Sequence, residues 1–484
     1  MARRRVNIRG TDGEEFTAGM AVIASQFDVP QVFPPAVLAA AEETARHPKL
    51  PGVDRTDLPL VTLDPAGSQD LDQAFHIERY GGGFRLYYAI ADVAAFVMPD
   101  GPVDVEAHRR GETLYAPDHR VPLHPVVLSE GAASLLPNQP RPALLWQVTL
   151  DPTGEAGKVE VHRALVRSRA QFDYESIQRE IDANTAPPVF ALLQEVGTLR
   201  LQREQERGGI SLPLPEQEVV VDHGDWSLRY RTSLPLEQWN AEMSLLIGTG
   251  CAQIMLYGEV GILRTLPPAP DSAVHRLRRT ARALHLTWDP DEEYPDFVRA
   301  LDPNTPAGAA MLNACTTLLR GAGYVAFDGG VPENVEHAAL ATEYAHCTAP
   351  LRRLVDRYAG EVAIALCEDR PVPEWVLTKL RALPKEMEEA NQRAHQFDGA
   401  VLSLVEAGML SDRIGESFPG VIIEVEPGED AKGTVMLSDP AVEAGVTAAG
   451  ETLPLGEEVT VRLVEADTAT RVVRFELAES AGAG

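Results

Sequence analysis

The sequence predicts an α+β fold: a strand-rich segment, then a helical one, then a small β-barrel. Three observations carry this. Between Leu58 and Asp173 apolar residues alternate or run together between turn formers, as strands do. From Tyr174 onward they recur at helical spacing. After Leu410 short strand-like runs return, separated by Gly, Pro and Asp.

Each element has its own signal. The first 33 residues begin basic and show little periodicity, and Pro34-Pro35 then opens a short helix that runs to Arg46 and ends near Pro48. Residues 1–48 read as a small appendage. Strands are expected over 58–64, 84–97, 144–151 and 159–172, with a short helix over 103–110 closed by Gly111. Helices are expected over 189–207, 236–257, 273–286, 307–319, 351–367 and 385–410, interrupted by a strand pair at 216–222 and 226–231. Residues 415–478 contain strands at 418–426, 433–437, 458–464 and 471–476, and a segment of that size fits a five-stranded OB-type barrel. The domain division is therefore 1–48, 49–410 and 411–484.

Composition narrows the class. A chain of 484 residues with 44% hydrophobic content is globular and can bury a large core. Its four cysteines, Cys251, Cys315, Cys347 and Cys367, lack metal-ligand spacing and fit a reducing compartment. No apolar run approaches membrane-spanning length, and the Met-Ala-Arg-Arg-Arg start lacks a secretory stretch. We expect a soluble cytoplasmic monomer that engages no membrane. The net charge of -29 argues against a general nucleic-acid coat, though not against an enzyme with a local basic channel.

The most informative string is Thr62-Leu-Asp-Pro-Ala-Gly-Ser-Gln-Asp-Leu-Asp-Gln-Ala-Phe75, which crowds Asp64, Asp70 and Asp72 behind an apolar run. Carboxylates that close repel one another unless a cation lies between them. All-oxygen ligands select a hard ion, and Mg2+ suits phosphate chemistry. In extended chain Asp70 and Asp72 point to one side, and the Pro-Ala-Gly-Ser turn can fold Asp64 back toward them. The other reading is a plain surface turn, since Asp, Pro, Gly and Ser are turn formers.

A second constellation, Tyr344-Ala-His-Cys-Thr-Ala-Pro-Leu-Arg-Arg-Leu-Val-Asp356, lies far downstream. Between the two fall Tyr88-Ala-Ile-Ala-Asp-Val93, Gly111-Glu-Thr-Leu-Tyr115, Pro122-Leu-His-Pro125, Ser134-Leu-Leu-Pro137, then Arg207, Pro215-Glu216 and Glu242. Together these strings resemble, in order, the ribonuclease II and ribonuclease R exoribonuclease family, the RNB-domain enzymes. The resemblance covers about residues 50–410. It implies an RNB catalytic domain, a mixed sheet surrounded by helices, followed by an RNA-binding OB fold.

The resemblance also implies roles. Asp64, Asp70, Asp72 and Gln73 would hold Mg2+, with Asp72, Asp70 and Arg352 catalytic. Arg352 would stabilise the phosphate in the transition state, a task suited to a fixed, permanently charged fork. Arg353 would share that role or pair with Asp356. Tyr115 would stack on a base near the 3′ end, and Arg207 and Glu242 would bind backbone phosphate and ribose. Asp92, an acid in an apolar run, needs a partner and has a supporting role. His76, His124 and His346 read as structural.

There are departures. The family string carries a fourth acid where this chain has Gln73, and the later string shows Ala349 for Ser, Leu354 for Tyr and Gly360 where a His is common. An uncharged amide would hold an ion more weakly. The paired barrels that precede the domain in bacterial relatives have no counterpart in residues 1–48. The expected activity is Mg2+-dependent, processive 3′-to-5′ degradation of single-stranded RNA to nucleoside 5′-monophosphates. The alternatives are a non-catalytic RNA-binding or regulatory protein on the same fold, and a hydrolase of small phosphorylated molecules.

Overall fold

The computed structural model describes residues 13–478 apart from 118, 213, 223–224, 427 and 451. Its centre is an antiparallel meander of four strands, Gln73–Tyr80, Gly83–Ala91, Pro140–Leu150 and Ala156–Arg167, adjacent in that order. Alternation sorts the side chains onto two faces. Phe84, Leu86, Tyr88 and Ile90 join Leu144, Trp146 and Val148 on one face, while Tyr87, Ala89, Ala91, Ala143 and Leu145 occupy the other. Both faces are covered, which is why these strands read as near-continuous apolar runs. Parallel pairings at the edges, Thr62–Asp64 with Gln171–Asp173 and Asp54 with Leu165, make the sheet system mixed.

Helices Pro188–Glu206, Pro235–Tyr257 and Leu354–Cys367 share the core of the bulky face, and Pro35–Arg46 and Pro102–Arg110 that of the small one. The Leu354–Cys367 helix is buried nearly all round, as expected of a helix without a polar face. Gly360 lets it lie flat on the sheet, because a Cβ there would stand 2.6 Å from Leu144 Cδ1. Its charged side chains are paired. Arg357 contacts Asp104, and Glu361 contacts Arg163, which also holds Asp92 Oδ2 at 2.8 Å. Asp92 thus has the partner that an acid in an apolar strand requires.

The 28-residue helix Leu383–Leu410, about 42 Å long at 1.5 Å per residue, leads to a closed barrel. Its strands are Ser417–Glu426, Glu429–Ser438, Ala441–Thr447, Glu458–Asp467 and Val472–Leu477. The third and fifth pair in parallel and the remaining neighbours antiparallel, around Phe418, Ile422, Val435, Val461 and Phe475.

Some elements lie outside the sequence expectation. Residues Gly13–Gln26 form a helix whose Phe16, Met20 and Ile23 are buried against the long helix, and Phe16 stacks on Trp226 with centroids 4.8 Å apart. The first of the four sheet strands, Gln73–Tyr80, is another, as is the pair Val260–Thr265 with Gly323–Asp328. The strand expected to run to Val97 stops at Ala91 and turns into a 3-10 segment, Val93–Ala95.

Candidate active site

The acidic string wraps around the start of the sheet. Asp64 closes the Thr62–Asp64 strand, and the chain turns at Ser68, whose amide donates to the Pro65 carbonyl at 3.2 Å. Ser134 anchors the next stretch: its hydroxyl donates to the Gln69 carbonyl at 2.6 Å and accepts from Leu71 N at 3.0 Å. The sheet strand starts only at Gln73, so Asp70 and Asp72 do not obey strand alternation. They diverge.

Asp72 is 2% exposed and turns toward the downstream string. Leu351 N donates to its Oδ1 at 2.8 Å, and Arg352 Nε lies 3.2 Å from its Oδ2. Burial pushes its carboxyl up to about 7, against the pull of Arg352. Asp64 is pushed up to about 6, again by burial, with Arg352 opposing and Asp70 adding. Arg352 also feels Tyr115 and Asp64, so one guanidinium links both acids to the aromatic.

That guanidinium is held by its own loop. Asp356, in the first turn of the Leu354–Cys367 helix, accepts Ala349 N at 2.6 Å and takes Arg353 in a two-pronged pair at 2.8 and 2.9 Å. Arg353 is therefore a strut, and its fork is unavailable to a ligand. The helix starts at Leu354 rather than 351, leaving Arg352 in the loop ahead of it with its side chain 44% exposed. Thr113 N donates to the Arg352 carbonyl at 2.9 Å and Leu354 N to the Gly111 carbonyl at 2.9 Å. This fixes Arg352 relative to Tyr115, two residues beyond Thr113.

Tyr115 sits on a two-stranded ribbon, Leu114–Tyr115 against Arg120–Val121, opposite Arg120. Both reach Asp70: Tyr115 Oη donates to Oδ2 at 3.2 Å and Arg120 Nη1 to Oδ1 at 2.6 Å. Tyr115 as a residue is 47% exposed. An exposed aromatic beside an arginine offers a face on which a base could stack.

The sequence matches the RNB domain over residues 53–363 and the RNase II-type exonuclease C-terminal S1 domain over residues 416–478. The chain belongs to the RNB-domain family. Ribonuclease R of Escherichia coli is 28% identical over 454 residues, which cover 85% of this chain and 54% of that protein. Ribonuclease R of Aquifex aeolicus is 26% identical over 512 residues, 98% of this chain and 72% of that one. This RNB-domain chain thus spans about half the length of the Escherichia coli relative. The apo form of Mycoplasma genitalium RNase R shares its fold with a TM-score of 0.85 at 18% identity, over 96% of this chain and 78% of that one.

Two expected members of this RNB site lie elsewhere. Glu242 is buried near Arg200, whose Nε is 4.0 Å from Glu242 Oε2, and is pushed up to about 7 by burial and by Glu204. Asn240 and Ser244 on the same helix face the acid side, through Tyr174 at 2.9 Å and Thr348 at 2.8 Å. Glu242, two residues from each, falls on the opposite face of the helix. Arg207 donates to the Leu340 carbonyl at 2.7 Å and lines a cleft of about 370 Å3 with Arg200 and Arg203. Both residues thus form a second polar cluster apart from the acids.

Gln73 also departs from expectation. Its amide nitrogen donates to the Thr348 carbonyl at 2.8 Å, and its oxygen accepts the Tyr88 hydroxyl. The amide ties the sheet to the loop carrying Arg352 rather than standing free as a ligand. Tyr174, Asn240 and Arg120 are contributors that no short sequence string marks, while Thr348 belongs to the downstream string. Tyr174 is capped into place by Asp173, and burial together with Asp64 pushes its hydroxyl up to about 12.

Among the described residues no three His, Cys, Asp or Glu side chains form a ready-made metal cluster. Two carboxylates still fit a cation. Asp64 Oδ2 and Asp72 Oδ2 are buried and accept no hydrogen bond. Mg2+ commonly uses one or two protein carboxylates and completes its shell with water and phosphate. The donor set suits it.

Proposed function

We propose that this chain is a Mg2+-dependent exoribonuclease that takes single-stranded RNA by its 3′ end and releases nucleoside 5′-monophosphates processively. The observation supporting it is the convergence of Asp64, Asp70 and Asp72 with Arg352 and Tyr115. The family membership and the RNA complexes of Mycoplasma genitalium RNase R, with ribose-methylated single-stranded and with double-stranded RNA, agree with it.

Asp64 and Asp72 would hold the ion, which when bound neutralises phosphate charge and supplies an activated water. Arg352, partly exposed beside Asp72, would stabilise the negative charge that grows on the phosphoryl oxygens. Tyr115 stacks on the terminal base, an interaction every base can make, which suits sequence-indifferent degradation. Asp70, held by Arg120, orients the groups around the scissile bond. The cleft lined by Arg200, Arg203 and Arg207 also holds Glu155 and Glu206, which pair with Arg203, so any phosphate contact there would fall mainly to Arg207. Contacts to the 2′-hydroxyl would separate RNA from DNA.

Labelled single-stranded RNA, hairpin RNA and DNA, each with Mg2+ or EDTA, test the reading. Single-stranded RNA with Mg2+ should yield mononucleotides. Intact RNA after prolonged incubation with the pure protein and Mg2+ would refute it. A second reading, a non-catalytic RNA binder on the same fold, is favoured by the neutral Gln73 and by the absence of a three-carboxylate cluster among the described residues. Tight RNA binding without Mg2+-dependent cleavage would select it.

A further inference from the structure

Asp70 is the acid of the string whose two oxygens both accept hydrogen bonds, whereas Asp72 Oδ2 has only the ion pair with Arg352. Arg120 Nη1 donates to Oδ1 and Tyr115 Oη to Oδ2, at 2.6 and 3.2 Å. As cross-strand partners, Arg120 and Tyr115 project from the same face of the ribbon. Glu130 steadies the guanidinium from its other side, 3.5 Å from Nη2. Gln73 is spent on Thr348 and Tyr88. Among the buried oxygens of the acidic string, Asp64 Oδ2 and Asp72 Oδ2 accept no hydrogen bond.

We propose that Arg120 is a positioning residue that fixes Asp70 and supplies permanent positive charge there, so that the centre takes a single divalent cation, on Asp64 and Asp72. Its catalytic meaning rests on the exoribonuclease reading; the ion count does not. A guanidinium keeps its charge at every working pH, and its fork geometry matches a carboxylate. A second cation at Asp70 would have to displace Arg120 and then stand beside the displaced charge. Asp70 is thereby removed from the ligand set and kept as an acceptor of fixed orientation. The guanidinium does at Asp70 what a second ion would do, without needing to be recruited.

Titrating the full chain with Mn2+ in the absence of RNA, and reading free ion by its electron paramagnetic resonance, tests this. The wild type should bind one Mn2+ per chain, and Asp70→Asn should bind one with affinity changed by less than about threefold. Asp64→Asn should lose at least about tenfold, as for removal of a real ligand. Arg120→Lys should keep the single ion, while Arg120→Ala, with Asp70 released, should bind a second. In RNA degradation Arg120→Ala should lose kcat with little change in KM. Two Mn2+ on the wild type, one of them lost in Asp70→Asn, would overturn the proposal. That pair decides even if Arg120→Ala does not fold. One Mn2+ in this pattern on a chain that cleaves no RNA would support the Arg120 assignment while refuting the exoribonuclease reading.

Discussion

Arg352 Nε lies 3.2 Å from Asp72 Oδ2, joining the acidic string at the start of the sheet to the loop ahead of the buried Leu354–Cys367 helix. The contact makes one unit of a charge that would drive RNA chemistry and a charge that would answer it. Asp72→Asn keeps the size of the side chain and an oxygen for Leu351 N, so the fold should survive. The variant should also unfold no more easily, since burial opposes the ionised carboxyl. RNA degradation should nevertheless fall by about a thousandfold or more, because the cation loses a charged ligand. Arg352→Lys should lower kcat by about a hundredfold through loss of the fork, with KM little altered. Single-turnover rates on labelled RNA, together with thermal melts, check both.

The two raised carboxyls set a pH dependence whose sign can be worked out. An unfolded Asp loses its proton near 3.9, whereas Asp64 and Asp72 keep theirs to about 6 and about 7. Across that interval the native state binds more protons than the unfolded one. Without a cation, stability should therefore fall as pH rises from about 4 to about 7. Ligands must be ionised to hold Mg2+, so its binding should strengthen across the same window. The rise in Tm produced by Mg2+ over EDTA should be larger at pH 8 than at pH 5, and activity should climb between pH 6 and 7 and then level off. An equal Mg2+ shift at both pH values would contradict the assignment of these acids as ligands.

Much of the fold is legible because it is written in periodicity. The strands around Trp146 and Tyr88 and the helices from residue 189 onward carry apolar repeats long enough to locate within a few residues. The Gly13–Gln26 helix is not, because Phe16, Met20 and Ile23 are diluted by Gly and Ala whose partner is the long helix. Gly360 looks like a lost His in sequence, yet packing against Leu144 demands its small size. The acids, Tyr115 and Arg352 are visible through their strings. Arg120 and Tyr174 are not, since a two-residue ribbon and a helix cap bring them in. Their local sequence carries no signal. Glu242 is misread for a geometric reason: it lies two residues from both Asn240 and Ser244, and two residues reverse a helix face.

Tyr115 makes two separable contacts, a hydroxyl to Asp70 and a half-exposed ring open to solvent. Tyr115→Phe keeps the ring and should degrade RNA within a few-fold of wild type. Tyr115→Ala should raise KM for short RNA by about tenfold or more, given about 1–3 kcal/mol per stacked base. The loss should be similar for all four terminal bases. A loss as large for Phe as for Ala would assign the role to the hydroxyl instead.

Gln73 separates a strut from a lost ligand. Its amide spans the Thr348 carbonyl and the Tyr88 hydroxyl, so Gln73→Leu strands two polar groups in the interior. Each costs about 1–3 kcal/mol, and denaturant titration should show that loss without a change in slope. Gln73→Asp tests the same point more sharply. The shorter side chain cannot span both partners, it has no N–H for Thr348, and it places another negative charge next to Asp72. It should be less stable than wild type in EDTA and should gain no Mn2+ in a binding titration. A Gln73→Asp protein that binds an additional ion and degrades RNA where the wild type does not would mean the amide stands where a ligand once served, and the non-catalytic reading would then gain over the catalytic one.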